Sequence, residues 1–269
     1  MIRKNMDYKW QLVLGFTSLF VIVFSYQCLS WRQRAINPKD TTMPGVVEIF
    51  TEGTYKIITP DAFGDIWLIE DSKATFSRLF AGMGAGVLLS FLIGISMGSF
   101  VVAEYFFKWP ITFLGQIPPT AMMAVYLVIY ALTEIPLVPM MICFGILPAL
   151  TLTIYNSVKY DVHDESIYKA YTLGASNMEV IYNVIVKQIL PKVLDAVRIC
   201  IGPALVYLIA AEWSNENVGF GYRLKIQGRQ IHMAVVYNYL AILAISGYLM
   251  SMILLKIRSY LSPWYGRGR

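Results

Sequence analysis

Long apolar runs, separated by polar segments and turns, dominate the chain. A helix needs about 20 apolar residues to cross a bilayer, and most of these runs reach or approach that length. The pattern therefore predicts an all-α polytopic membrane protein with about six transmembrane helices. The predicted spans lie at about 10–29, 76–102, 112–132, from Pro139 to about 153, 196–213 and 235–257.

The first 72 residues are predicted to form one transmembrane helix and an external loop. The run at 10–29 lacks an A-x-A cleavage pattern, which favours an uncleaved helix over a signal peptide. Segment 31–72 is acid-rich and is interrupted by several prolines and glycines. Residues 73–257 are then the membrane core, and the basic residues 258–269 are a cytoplasmic tail.

Small residues recur every four positions in the second span. This spacing places them on one face of the helix, where they form a ridge that another helix can approach closely. The pattern predicts tight helix packing, either within the chain or between two copies of it. The ridge consists of Gly82, Gly86, Ser90, Gly94 and Gly98.

Two later features are candidates for a pathway through the membrane. Pro118 and Pro119 open the third span, and such a break must be buried in protein or line a cavity. Glu212 ends the fifth span, where a carboxylate is costly unless it faces a polar cavity or a partner. It is either an interfacial acid or a paired pathway or gate residue. Its expected partners are the Trp213 side chain, Asn215 and Arg223.

The sequence Gly219-Phe220-Gly221-Tyr222 follows Glu212 and places two aromatic rings in a glycine-rich turn. We interpret it as an external or re-entrant loop over the pathway. Phe220 and Tyr222 are also typical of the aromatic belt at a membrane interface, and that alternative stays open.

A polar block, Tyr155–Arg198, separates the fourth and fifth spans and predicts two short helices. Asp164 is expected to cap the first helix, which runs from about Glu165 to Leu173. Gly174 follows at the position where left-handed backbone angles favour glycine. The block is too polar to cross a bilayer, so it lies at a surface.

The second helix of the block is predicted to begin at Ser176. Glu179 stands three residues later, which is the spacing of a capping box. The helix is expected to end before Pro191. By periodicity alone, the two helices form an amphipathic hairpin that lies on the membrane.

The residues of this block also resemble the "EAA" loop of ABC importer permeases. The similarity covers about residues 74–256. Together with the residues downstream of it, the block resembles the nitrate/sulfonate/bicarbonate (taurine-type) branch of these permeases. The matching stretches are Ala170-Tyr171-Thr172-Leu173-Gly174-Ala175-Ser176, Leu190-Pro191, Asp195-Ala196-Val197-Arg198-Ile199, Ala211-Glu212 and Val218-Gly219-Phe220-Gly221-Tyr222.

The resemblance implies a type I importer permease whose core is residues 73–257 and whose coupling loop lies at about 155–198. It implies two ATPase subunits, a second permease subunit that is most simply the same chain, and an extracytoplasmic binding protein. It also implies a small anionic solute and a bacterial inner membrane, with both termini cytoplasmic. The residues assigned to ATPase coupling are Tyr168, Lys169, Ala170, Leu173, Gly174, Ala175, Ser176 and Pro191.

Three lysine or tyrosine positions depart from the family pattern. Tyr168 and Lys169 stand where the motif has Glu and its first Ala, and Lys187 stands where the branch often has proline. These departures keep the shape of the loop and change the chemistry of its ATPase-facing surface.

Composition agrees with a membrane protein. Of 269 residues, 57% are hydrophobic and only 14% are charged, whereas charged residues make up about a quarter of soluble domains. More of the 22 Lys and Arg residues fall on the predicted inner side, which agrees with a cytoplasmic N-terminus. No basic stripe with interleaved aromatics indicates nucleic-acid binding.

The sequence lacks the motifs of an enzyme. It has no GxxxxGK[ST] loop and no CxxC pair. We therefore expect no catalysis, no cofactor and no metal in this chain, and we expect ATP hydrolysis to take place on a partner subunit. The alternative function is a stand-alone secondary transporter or channel. Glycine- and proline-interrupted helices favour it, but the sequence shows no internal repeat.

Overall fold

A computed structural model describes residues 7–37, 41–61 and 64–265. Within these ranges the chain is almost entirely helical and has no β-strand, which confirms the all-α prediction. In chain order the elements are α1 (Tyr8–Ile36), α2 (Val46–Glu48), a π-helical turn (Ile49–Gly53), α3 (Thr54–Ile58), α4 (Trp67–Ser99), α5 (Val101–Leu114), α6 (Met123–Thr133), α7 (Leu137–Asp161), α8 (Asp164–Thr172), α9 (Asn177–Val180), a second π-helical turn (Ile181–Val186), α10 (Lys187–Asn215), α11 (Phe220–Arg229) and α12 (Met233–Leu261).

Five helical stretches of the described chain are long and apolar enough to cross a membrane. The helix α6 is apolar but shorter. The five stretches are Lys9–Ile36, Trp67–Ser99, Leu137–Asp161, Asn177–Asn215 and Met233–Leu261.

The third predicted span, 112–132, is not one helix. The chain leaves the helical conformation after α5 and regains it only at Met123. Pro118 and Pro119 lie in the intervening turns and not at a helix start. Proline has no N–H to continue the helical ladder, and two in succession remove two donors. The pattern identified the break but misplaced it.

The predicted external loop is shorter than expected at both ends. The helix α1 continues to Ile36, and α4 begins at Trp67. By contacts the chain divides into two compact units. One holds the described residues up to Ile69 with Arg223–Ile242, and the other holds Glu70–Tyr222 with the described residues from Leu243 onward.

The first unit is organised by the C-terminal half of α1. The Tyr26 hydroxyl donates to the Pro44 carbonyl over 2.8 Å, and the Ser30 hydroxyl donates to the Met43 carbonyl over 2.8 Å. The Gln27 side chain accepts a bond of 2.9 Å from the Val46 amide. These bonds hold the start of α2 against α1. Further toward the N-terminus, apolar side chains of α1 are exposed, as expected for a helix that faces lipid.

The second unit is built around α7, which is buried along most of its length. Ile146, Leu150 and Ile154 recur every four residues and are almost fully buried. They share one core with Ala204 and Leu208 of α10. Because lipid is as apolar as these side chains, close packing between helices is what holds this core together in a membrane.

The glycine ridge of α4 packs against α7 of the same chain. A Cβ added at Gly82, Gly86 or Gly94 would lie 2.8 Å from an isoleucine side-chain atom of α7, which is too close for ordinary contact. The Ser90 hydroxyl, in the same ridge, donates to the Leu147 carbonyl over 3.2 Å. The sequence left open whether the ridge packs within or between chains, and the described contacts are within the chain. The pairs are Gly82 with Ile142, Gly86 with Ile146, Gly94 with Ile154 and Gly98 with Val158.

Replacing Gly94 by leucine should therefore destabilise the protein. Overpacking of a close contact costs about 1–3 kcal/mol, and here the isoleucine beside Gly94 is itself fully buried. Gly84→Leu on the same helix is the matched control, because a Cβ at Gly84 meets nothing within 4 Å. Thermal unfolding of the detergent-solubilised variants measures the difference. Equal stability of Gly94→Leu and Gly84→Leu would contradict the packing argument.

Candidate functional site

The polar block contains a helical hairpin, residues 164–180, and Gly174 forms its turn. Gly174 has φ +82°, the left-handed conformation that the sequence predicts. Its amide donates to the Tyr171 carbonyl over 2.9 Å, and the Ala175 amide donates to the Ala170 carbonyl over 3.1 Å. This pair of bonds is the Schellman motif, which satisfies carbonyls that the end of α8 leaves free.

The second helix of the hairpin starts with the predicted capping box. The Ser176 hydroxyl accepts a bond of 3.4 Å from the Glu179 amide, and the Glu179 carboxylate accepts one of 2.8 Å from the Ser176 amide. Both ends of the turn are thus hydrogen-bonded within the hairpin itself.

Two expectations about the block are wrong. Asp164 is the first residue of α8 and not its cap; His163 precedes the helix and makes no side-chain cap bond. The second helix does not end before Pro191, because the backbone stays helical through a π-helical turn and Pro191 into α10. A proline inside a helix costs about 3 kcal/mol, and burial of the neighbouring Ile189 and Val193 offsets that cost.

Large apolar side chains of the hairpin are exposed. Leu173 is 88% exposed at the turn and Tyr168 is 67% exposed on α8. Met178 is exposed on α9. The hairpin is folded yet presents apolar surface, which is typical of a contact site. Lys169, one of the departures from the motif, reaches Glu165 over 3.9 Å and is otherwise open to solvent.

Glu212 lies in the last turn of α10 and is fully buried. Its carboxylate accepts hydrogen bonds of 2.9 Å from the Thr75 hydroxyl, 3.0 Å from the Arg78 guanidinium and 2.9 Å from the Gly221 amide. Glu212 is therefore paired inside the protein and is not an exposed interfacial acid, while its role as a pathway or gate residue stays a prediction. These three partners differ from the expected ones, which were the Trp213 side chain, Asn215 and Arg223.

The glycine-aromatic sequence after Glu212 is the start of a helix and not an open loop. Three consecutive amides at the start of α11 are each bound by a side chain over 2.9 Å: Gly219 by Asp71, Phe220 by Thr75 and Gly221 by Glu212. A helix start leaves such amides free, and its partial positive charge favours carboxylates. The three side chains thus act as the cap of α11.

Glycine is required at position 219 of this cap. Gly219 has φ +124°, and a Cβ there would lie 2.6 Å from the Glu212 carboxylate. Phe220 is fully buried and packs edge-on against Phe76, with ring centroids 5.8 Å apart, so it does not belong to an aromatic belt. Tyr222 is half-buried in the first turn of α11.

Arg78 joins the cap to the segment between α10 and α11. Its guanidinium donates to Glu212 over 3.0 Å, to Glu216 over 2.5 Å and to the Val218 carbonyl over 2.7 Å. A buried carboxylate is tolerable only when charges and hydrogen bonds compensate its desolvation. Arg78 and the N-terminus of α11 supply that compensation.

A second charged cluster joins the end of α7 to α5. Glu104 accepts bonds of 2.5 Å from Lys159 and from the Tyr155 hydroxyl, and Lys108 lies 3.6 Å away. The hydrogen bonds from Lys159 and then Tyr155 lower the pKa of the Glu104 carboxyl below its usual value. The cluster fixes the start of the polar block relative to α5.

The sequence of the chain matches a known protein family. Residues 86–267 match the family described as "Binding-protein-dependent transport system inner membrane component". The chain belongs to this family. The matched range includes the hairpin, Glu212 and the start of α11, and omits α1 and the first part of α4.

Relatives from several microorganisms are similar along most of their length. The taurine transport system permease protein TauC of Escherichia coli K12 is 26% identical over 267 residues, which cover 98% of this chain and 95% of TauC. A probable ABC transporter permease protein of Brucella abortus is 25% identical over 226 residues, 84% of this chain and 87% of its own. The formylaminopyrimidine transport permease protein ThiX of Halalkalibacterium halodurans is 24% identical over 193 residues, 71% of this chain and 76% of its own.

Together these findings confirm the resemblance to ABC importer permeases of the taurine type. The relatives are transport permeases and not enzymes. The family and the five apolar stretches of the described chain make the protein a multi-pass component of the inner membrane.

Removing the Glu212 side chain should cost far more stability than removing an exposed carboxylate. In Glu212→Ala, the Thr75 hydroxyl, Arg78 and the Gly221 amide lose a buried partner, at a cost of about 3–5 kcal/mol. Glu212→Gln should cost less, because its amide oxygen still accepts. Glu165→Ala, which removes an exposed acid, is the control. Chemical unfolding in detergent checks the order; a loss in Glu212→Ala no greater than in Glu165→Ala would refute it.

Proposed function

We propose that the chain is the transmembrane permease subunit of an ATP-driven ABC importer and that residues 164–191 couple it to a separate ATPase. The observation that carries the proposal is the hairpin. It is locally capped, it exposes Leu173 and Tyr168, and it lies within the range that matches the family.

The mechanism is alternating access, with the helix after the hairpin as the connecting element. The helical stretch Asn177–Asn215 has 39 residues, which corresponds to roughly 60 Å of helix. It joins the hairpin at one end to Glu212 at the other. When ATP closes the ATPase pair, a displacement of the hairpin is transmitted along this stretch to the cap of α11, which lies in the same unit.

The proposed topology places both termini in the cytoplasm. In this topology α6 and the turns before it cross the membrane as the third span. The hairpin, the end of α7 and the end of α12 then lie on the cytoplasmic side. Two ion pairs support this arrangement, because each joins groups assigned to the inner side. Lys159 pairs with Glu104 over 2.5 Å, and Arg258 pairs with Asp195 over 2.7 Å.

The proposed partners are two ATPase subunits, a second copy of this permease and an extracytoplasmic solute-binding protein. The family description names a binding-protein-dependent system, and the relatives are named as ABC transporter permeases. The resemblance implies a small anionic solute, and relatives are named for taurine and for formylaminopyrimidine transport. We therefore propose a small solute.

The turn of the hairpin offers a test of coupling. Gly174→Val forces a β-branched residue into the left-handed conformation, at about 1–2 kcal/mol, while a Cβ there meets no other atom within 4 Å. We expect uptake and solute-stimulated ATP hydrolysis to fall roughly fivefold or more, the factor for about 1 kcal/mol. Gly174→Asn is the matched control, because asparagine tolerates left-handed angles, and it should retain most of the activity.

The measurement uses the reconstituted complex of the permease with its ATPase. Reporter labelling of the external and internal ends should show an unchanged topology in both variants. Normal coupling in Gly174→Val, or equal losses in Gly174→Val and Gly174→Asn, would contradict the role of the turn. Failure of any ATPase to co-purify with the wild-type chain would favour the stand-alone transporter instead.

A further inference from the structure

A cavity of about 290 Å³ lies where the turns between α5 and α6 meet α7 and α10. Its volume is just below the range for small-molecule sites, roughly 300–1,000 Å³. The walls are mostly apolar, and the lining includes Gly115 and Pro119 from the turns, Tyr126 from α6, Phe144 and Gly145 from α7, and Tyr207 from α10. In membrane proteins, broken helices of this kind commonly surround a solute site.

Two proline breaks remove backbone N–H donors beside this cavity. The carbonyl of Gly115 has prolines at the third and fourth positions after it, so neither can donate the N–H of a helical turn. The carbonyl of Phe144 likewise faces Pro148, which stands four residues later inside α7. Gly115, Phe144 and Pro148 all line the cavity. A ligand with N–H donors would satisfy these oxygens.

Aromatic rings form part of the wall. The rings of Tyr126 and Phe144 are nearly parallel, with an interplanar angle of 15° and centroids 6.3 Å apart. The Tyr207 ring packs directly on Gly145, where any added side chain would collide with it. Flat aromatic faces favour a planar ligand, because offset stacking adds to the stabilisation from burial.

Charged side chains are absent from the described residues that border the cavity: none of them is Asp, Glu, Lys, Arg or His. An anion that entered would lose its water without meeting a cation, and it would face carbonyl oxygens of like partial charge. The cavity is therefore suited to an uncharged molecule, which departs from the anionic solute that the resemblance implies.

We propose that this cavity binds an uncharged, planar, ring-containing solute that donates N–H groups, such as an aromatic carboxamide or an aminated heteroaromatic ring. The proposal rests on the proposed function in one respect, which is that the ligand is the transported solute. A lipid chain is the other occupant of an apolar cavity, but it has no N–H for the carbonyls of Gly115 and Phe144.

Benzamide and benzoate test the charge requirement, because they have nearly the same shape and differ in charge. Each is titrated, by ligand-observed NMR, against the full permease–ATPase complex in lipid nanodiscs. We expect benzamide to bind about tenfold more tightly or better, since benzoate must be desolvated without a counter-charge. Equal affinities, tighter binding of benzoate, or no binding of benzamide would overturn the proposal.

Two variants test the location. Gly145→Ala should displace the Tyr207 ring, because a Cβ at position 145 would collide with it, and Tyr207→Leu removes that ring from the wall. Each should weaken benzamide binding several-fold. Gly202→Ala, on the same helix as Tyr207, is the control, because its Cβ meets nothing within 4 Å. Unchanged benzamide affinity in Tyr207→Leu and Gly145→Ala together, or an equal loss in Gly202→Ala, would place the ligand elsewhere.

The outcomes separate this proposal from the proposed function. If the wild-type complex forms and couples ATP hydrolysis to uptake but does not bind benzamide, only the solute class fails. If no ATPase associates with the chain, the importer assignment fails, whatever benzamide does.

Discussion

The burial of Glu212 is the constraint on which the membrane core depends. A carboxylate removed from water must be met by charge and hydrogen bonds, and here they come from Thr75, Arg78 and the Gly221 amide. The hydrogen bonds of Glu212 therefore connect the end of α10 both to α4 and to the start of α11. Because α10 continues the helix that begins at the hairpin, the cap and the proposed ATPase contact are opposite ends of one helical stretch.

Close helix packing supplies the second requirement. The glycines of α4 let its backbone approach the isoleucines of α7, and the Ser90 hydroxyl bonds to an α7 carbonyl. In lipid such contacts replace the water-driven burial that stabilises soluble cores. At Pro118 and Pro119, between α5 and α6, the helix gives way to turns that border a cavity. Glycines, which lack a side chain, allow α4 to pack closely against α7. Prolines, which lack an N–H, interrupt the helix between α5 and α6.

Features with local causes were predictable from the sequence. The left-handed Gly174 and the Ser176 capping box follow from residues within one turn of each other, and both are as predicted. The partners of Glu212 were not predictable, because Thr75 and Arg78 stand 137 and 134 residues away in the chain. Pro191 was expected to end a helix because its missing N–H is a local cost, and the compensating burial of Ile189 arises only in the fold.

Cross-linking to the ATPase tests the central claim, that the hairpin is the contact with the energy-supplying subunit. Leu173→Cys, in a chain whose native cysteines are replaced by alanine, is compared with Leu132→Cys at the end of α6; both leucines are strongly exposed, 88% and 78%. The account predicts that a bismaleimide links Leu173→Cys to the ATPase, to an extent that changes with ATP, and does not link Leu132→Cys. Linkage at position 132 alone, or at neither position in an assembled complex, would contradict it.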